Sequence, residues 1–267
     1  MGRIAFLLLT LHRLAVGGFE QTEAGARPAS MGGAYIGLAN DVWAIFYNVA
    51  GLSDLNSREV SFFYTPGQFG LSELRRSTLA IGVPTRFGVF GLAARRYGFD
   101  LYHEVTWTAS YANKMSGLSV GVNLNYHTVS IQNYGSSGTI GIDVGVLLGF
   151  SRHIQWGVAA KNVNSPTIGE SGEPLPQTFS SGIAYLPTQR LSLTLDYVKE
   201  TSFDPSTKFG FEYRIIDAVA LRAGVSDRPS EYAGGIGIQY GIVAIDYAFF
   251  MHQELGVTHQ GSILIRW

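Results

Sequence analysis

Residues 117–129 read GLSVGVNLNYHTV, and their alternation decides the fold. Leu118, Val120, Val122, Leu124 and Tyr126 fall on one face of an extended chain, and Ser119, Gly121, Asn123, Asn125 and His127 on the other. Residues 139–150 repeat the pattern, with Ile140, Ile142, Val144, Val146, Leu148 and Phe150 opposite Thr139, Gly141, Asp143 and Gly145. Upstream, Val105, Trp107, Ala109 and Tyr111 oppose Glu104, Thr106, Thr108 and Ser110. One face suits lipid; the other is small or polar.

The same reading along the chain places strands near 58–65, 74–83, 86–98, 102–112, 117–132, 139–150, 153–162, 177–186, 190–199, 207–215, 218–225, 231–240, 242–250 and 259–267. That makes about 14 strands, an even number, as expected of a bacterial single-chain barrel. The connections support it. Those at 84–85, 113–116, 151–152, 187–189, 216–217 and 241 are short, whereas 66–73, 133–138, 163–176, 200–206, 226–230 and 251–258 are mostly longer, with 99–101 the exception. Short periplasmic turns alternating with longer external loops mark an outer-membrane barrel and set Arg58 and Trp267 on the periplasmic side. The expected fold is all-β, a transmembrane antiparallel barrel in the outer membrane of a Gram-negative bacterium. A soluble β-propeller would require a blade-length repeat, and none is present.

Composition agrees with this class. Charged residues make up only 15% of the chain, which is sparse for a water-exposed surface, and the net charge of −1 offers no basic stripe for nucleic acid. With no cysteine, disulfides and cysteine metal sites are excluded. Arg3 precedes an apolar run at residues 4–11, and Ala15, Val16 and Gly17 supply small residues for cleavage, so residues 1–18 read as a signal peptide interrupted by His12 and Arg13. No other stretch approaches the roughly 20 apolar residues of a spanning helix.

Residues 25–52, GARPASMGGAYIGLANDVWAIFYNVAGL, break the alternation. They are too irregular for a barrel strand and too apolar for a solvated linker. Irregular backbone at membrane depth is tolerated only inside protein or a watery lumen, so the segment is expected to lie within the barrel. Ala26, the Met31-Gly32-Gly33-Ala34 run, Ala39-Asn40-Asp41 and Tyr47-Asn48-x-Ala50-Gly51-Leu52 resemble the N-terminal signature of the FadL/PorV outer-membrane proteins. The resemblance implies a hatch over residues 19–57 plugging a barrel at 58–267, with Gly32, Gly33, Asn40, Asp41, Asn48 and Gly51 as its hatch and gating residues. Val49 stands where the family has proline.

Extending the face assignment, Arg76, Glu104, Asp143, Lys161, Asp196, Lys208, Glu212, Arg214, Arg222, Asp246 and Arg266 are expected to face the lumen. Their signs nearly balance, which suggests mutual ion pairing and packing against the hatch more than a selective ion pore. A bare inner patch is expected at Ala233, Gly235, Gly237 and Ala244, where the hatch could rest. Beyond the N-terminal run, His103, His127, His153, His252 and His259 are scattered without ligand spacing, and no phosphate or calcium loop occurs, so neither an enzyme nor a metal or cofactor site is expected.

In the FadL branch, hydrophobic compounds bind near the outside, pass the hatch and leave sideways through a kink in the third strand. Gly88 and Gly91 in the third segment are the candidate lateral opening, since an isolated glycine often marks a bulge. The resemblance therefore implies a hatch-gated channel for small hydrophobic compounds. The alternative it leaves open is a PorV-like barrel that binds protein partners in type IX secretion. A terminal aromatic, Trp267, on an alternating last strand resembles the signal read by the outer-membrane barrel assembly machinery.

Overall fold

A computed structural model describes residues 18–19 and 23–267. The signal peptide expected over 1–18 lies, except for Gly18, outside the described residues. The barrel strands are β1 (Glu59–Thr65), β2 (Arg76–Thr85), β3 (Gly88–Gly98), β4 (Tyr102–Met115), β5 (Leu118–Ile131), β6 (Gly135–Gly149), β7 (Ile154–Lys161), β8 (Thr178–Thr188), β9 (Leu191–Glu200), β10 (Ser206–Ile216), β11 (Val219–Asp227), β12 (Ser230–Tyr240), β13 (Val243–His252) and β14 (Gly256–Arg266). Each pairs antiparallel with its sequence neighbours, and β1 pairs with β14 to close the 14-stranded barrel. The seam is in register from Glu59↔Arg266 to Tyr64↔Gly261. Beyond it Arg58 N donates to Trp267 O at 3.0 Å and Trp267 N to Arg58 O at 3.1 Å.

Several strands run further than the alternation indicates. β6 begins at Gly135 rather than 139, because Gly135–Gly138 continue the ladder with β5 although their side chains carry no pattern. Backbone pairing needs no apolar face, so a ladder can extend past the bilayer. The longest connection, residues 162–177, carries a small hairpin of Thr167–Ile168 paired with Glu173–Pro174.

The surface is inverted relative to a soluble protein. Phe62, Leu92, Trp107, Leu124, Tyr126, Ile140, Leu195 and Ile245 stand exposed outside, while Ser61, Thr108, Asn123, Asn125, Thr194 and Asp196 are buried inside. Contiguous apolar surface of this extent is unfavourable in water by ~25 cal/mol per Å²; a hydrocarbon bilayer removes that penalty, and closure leaves no strand edge unpaired in it.

The core lies in the lumen. Residues from Ala24 to Leu55 fill it, with Met31, Tyr35, Leu38, Val42, Trp43 and Leu52 essentially inaccessible. This plug has little regular structure: α1 (Ala26–Ser30), α2 (Ala44–Tyr47) and a 3-10 helix at Val49–Asp54. Inward-facing wall glycines let its backbone approach. A Cβ on Gly121 would sit 2.7 Å from Ala50 N, and one on Gly224 would collide with the backbone of Met31 and Gly32. On the patch expected to be bare, Gly235 receives Ser30, but the space at Gly237 is taken by the Arg222 guanidinium. Phe19 lies beside Glu104, near the long-loop end of β4, and the chain descends to reach β1 at the short-turn end.

Candidate functional site: the plugged lumen

Two clusters hold the plug. In the first, Arg27 Nε and Nη2 grip Glu212 at 2.8 and 2.9 Å, and Nη1 donates to Tyr35 Oη, Asn40 Oδ1 and Asp41 Oδ2 at 2.7 to 2.9 Å. Burial works against the Arg27 charge, but Glu212, Tyr35 and Asp41 outweigh it and raise its pKa. Glu212 also binds Arg222, which binds Asp246, both at 2.6 Å. Every charge in this chain of groups meets an opposite one, as buried charges must.

The second cluster is uncharged. Asn48, fully buried, donates from Nδ2 to Ile36 O at 3.1 Å and to Val146 O of β6 at 2.9 Å, while its Oδ1 accepts from Ala50 N. Asn48 thus caps the 3-10 helix that Val49 begins, so the turn forms without the family's proline. Around it, Asn123 Nδ2 donates to Ile45 O at 2.9 Å, and Ser53 Oγ to Ser119 Oγ at 2.7 Å. Of the other hatch residues, Gly32 and Gly33 have positive φ of 65° and 72°, and Gly51 abuts Ala39. Asp41 Oδ1 accepts from Trp43 N, while Asn40 is exposed at the plug surface.

The residues expected to face the lumen sit at three levels. Near the long-loop end, Arg76 donates to Glu23 O and Gln68 Oε1, and Lys208 lies 3.7 Å from Glu23. Burial pushes the Glu23 carboxyl above its ordinary pKa against the pull of Lys208 and Arg76. At mid-depth, Asp196 Oδ2 accepts from Ile36 N at 2.8 Å. Toward the short-turn end, Arg266 binds Glu59 at 2.6 Å, and Arg214 is exposed on a crevice shared with Asp217. Glu104, Asp143 and Lys161 line a cavity instead.

That cavity, about 180 Å³, lies between the plug and the β3–β7 wall. Ile45 and Phe46 of the plug face it from one side, and Arg95, Thr108, Asn125 and His127 from the wall, with Phe19 beside them. A larger space of about 640 Å³ opens toward the long loops, lined by Glu23, Arg76, Phe203, Lys208, Glu231 and Phe250. Gln68 borders both spaces and is held by Arg76, so it stands between them.

The lateral opening expected at Gly88 and Gly91 is absent. β3 pairs with β2 from Tyr97↔Arg76 to Gly88↔Thr85, and with β4 from Val89↔Ala112 to Gly98↔His103, without a register shift. Gly88 ends the turn at φ 126°, and Gly91 makes room for Ile45 and Leu52 of the plug. An apolar groove of about 530 Å³ runs over the lipid face of β2–β6 nearby, but the ladder beneath it is continuous.

Face assignment missed Arg95, since Ala93-Ala94-Arg95-Arg96 carries no alternation, and Arg27, which sits outside any strand. Neither had a periodic signal; a lone arginine amid 28 mostly apolar and small residues at 25–52 was the clue to Arg27. His127 and Ser119 both turn inward, but Ser119 bonds the plug and His127 Nδ1 shares a 2.9 Å hydrogen bond with Thr106. Among the described residues, no group of three or more His, Asp or Glu side chains is placed to hold a metal.

A closed 14-stranded barrel around an inserted N-terminal segment is the fold seen in solved FadL-type outer-membrane channels. The CymD monoaromatic hydrocarbon channel superposes with a TM-score of 0.71 at 12% identity, covering 93% of this chain and 99% of its own. The toluene transporter TodX of Pseudomonas putida gives 0.66 at 10% identity over 90% and 96%. A Pseudomonas aeruginosa FadL homologue gives 0.64 at 12% over 91% and 97%. No protein-family model and no curated protein matches the sequence.

Proposed function

We propose that this protein is an outer-membrane channel for uptake of small hydrophobic compounds, with residues 19–57 as its gate. The observation that carries this reading is the cavity on the outer side of Ile45 and Phe46: a molecule entering through the long-loop space can lodge there and go no further until the plug yields. The similar folds named as hydrocarbon channels support it. A type IX secretion role has no observation in its favour.

The test is uptake of radiolabelled toluene by cells whose outer membrane carries the protein. Uptake at least tenfold above cells with an empty vector is expected, together with its loss in Thr108→Trp, which fills the cavity. Equal uptake in all three would overturn the reading. The barrel assembly machinery is the partner this fold requires for insertion, and deleting Trp267 is expected to lower the amount of folded barrel in the membrane, measured by heat-modifiable gel mobility.

A further inference from the structure

Among the described residues, Arg95 has no anionic partner. Among the described residues its Nε makes no hydrogen bond and no carboxylate lies within ion-pair distance; its only close neighbour of note is the Phe46 ring, 4.6 Å from Cζ. The two carboxylates that share its cavity are already engaged. Glu104 accepts from Phe19 N at 3.0 Å and from Tyr102 Oη at 2.6 Å. Asp143 accepts from Asn123, Asn125 and the backbone N of Asn162 at 3.2, 2.8 and 3.0 Å. Both carboxylates are thus satisfied, whereas Arg95 Nε is not. A cation held in a protein interior is unfavourable unless paired, and a guanidinium fork matches a carboxylate in two-point geometry.

Size and lining define the rest of the ligand. An apolar protein cavity of roughly 150 Å³ holds benzene, so about 180 Å³ admits one ring and a small substituent but no long acyl chain. Phe46 and Ile45 supply the apolar contact. Building on the uptake role above, we propose that the cavity is a receptor for a small aromatic acid, its ring on Phe46 and its carboxylate on Arg95. The cavity then holds small aromatic compounds that carry one negative charge more tightly than neutral ones of the same size.

The full chain in detergent, titrated calorimetrically with benzoate and with its neutral isostere benzamide, tests this. Benzoate is expected to bind at least tenfold more tightly. Arg95→Met should erase that preference and Arg95→Lys should retain part of it, each variant first shown to be folded by heat-modifiable mobility. Equal binding of the two ligands by the native chain, or a preference that survives in Arg95→Met, would overturn the inference. Toluene uptake by cells, measured in parallel, separates the two readings. Uptake without a benzoate preference refutes the acid receptor alone, and neither uptake nor binding refutes both.

Discussion

On the β10–β14 side of the lumen, α1 is fixed by a buried chain of charges running from Asp41 through Arg27, Glu212 and Arg222 to Asp246. On the β3–β6 side, α2 and the cap of the 3-10 helix are held by amide hydrogen bonds from Asn123 and Asn48, and the cavity lies against that wall. The first arrangement is directional and tolerates little sliding, since moving Arg27 leaves charges buried and unpaired. The second can be remade a short distance away. The difference separates a charge-locked part of the plug from an amide-held part: if the plug gates as proposed above, its opening would pivot about Arg27 and lift residues 45–54 from β4–β6.

Three substitutions probe that division. Arg27→Met is expected to act most strongly, because it strands Asp41 and leaves Glu212 with one partner; removal of one member of a buried pair costs about 3 to 5 kcal/mol. Its checks are the urea midpoint of the barrel and protease cleavage within residues 23–57. An unchanged midpoint would remove the anchor from the comparison.

Asn48→Ala comes next. It removes the donor to the Ile36 and Val146 carbonyls and uncaps the 3-10 helix, at about 1 to 3 kcal/mol. Because the anchor stays intact, the expected readout is leak conductance in a planar bilayer, raised severalfold with only a modest fall in barrel stability. If conductance does not rise, the β3–β6 side is not the part that lifts. The smallest effect is expected from Lys114→Ala, which removes a pair with Asp54 at 2.7 Å in which the lysine side chain is 48% exposed. Such partly solvated pairs contribute less than about 1 kcal/mol, and a larger shift in the urea midpoint would show that the lower end of the 3-10 helix is itself an anchor.

The barrel was legible because lipid outside and a polar lumen inside impose a period of two on every strand, and all 14 expected segments overlap observed strands. Ends were less legible, as at Gly135, where the ladder outruns the side-chain pattern. Residues 25–52 were legible as an insert from their lack of alternation, and several of their singled-out residues do make contacts that hold the plug. The pairing of Arg27 with Glu212, 185 positions apart, leaves no local trace. The glycines misled for a physical reason. In an open sheet an isolated glycine suggests a bulge, but in a filled barrel it also marks where a second backbone presses on the wall, and Gly91 is of that kind.

The hydrogen bonds that join Arg58 to Trp267 have a consequence for how the molecule is made. They close the widest loop in the chain, and loop closure grows more costly with the length enclosed. All neighbouring hairpins can zip from their turns, but this seam has no turn to start from. The plug is translated first and is tethered to β1, so it lies to one side of an unrolled sheet until the two edges meet. Residues 24–55 fill the space that this seam encloses, and wall glycines such as Gly121 and Gly224 leave their backbone room to lie inside the closed ring.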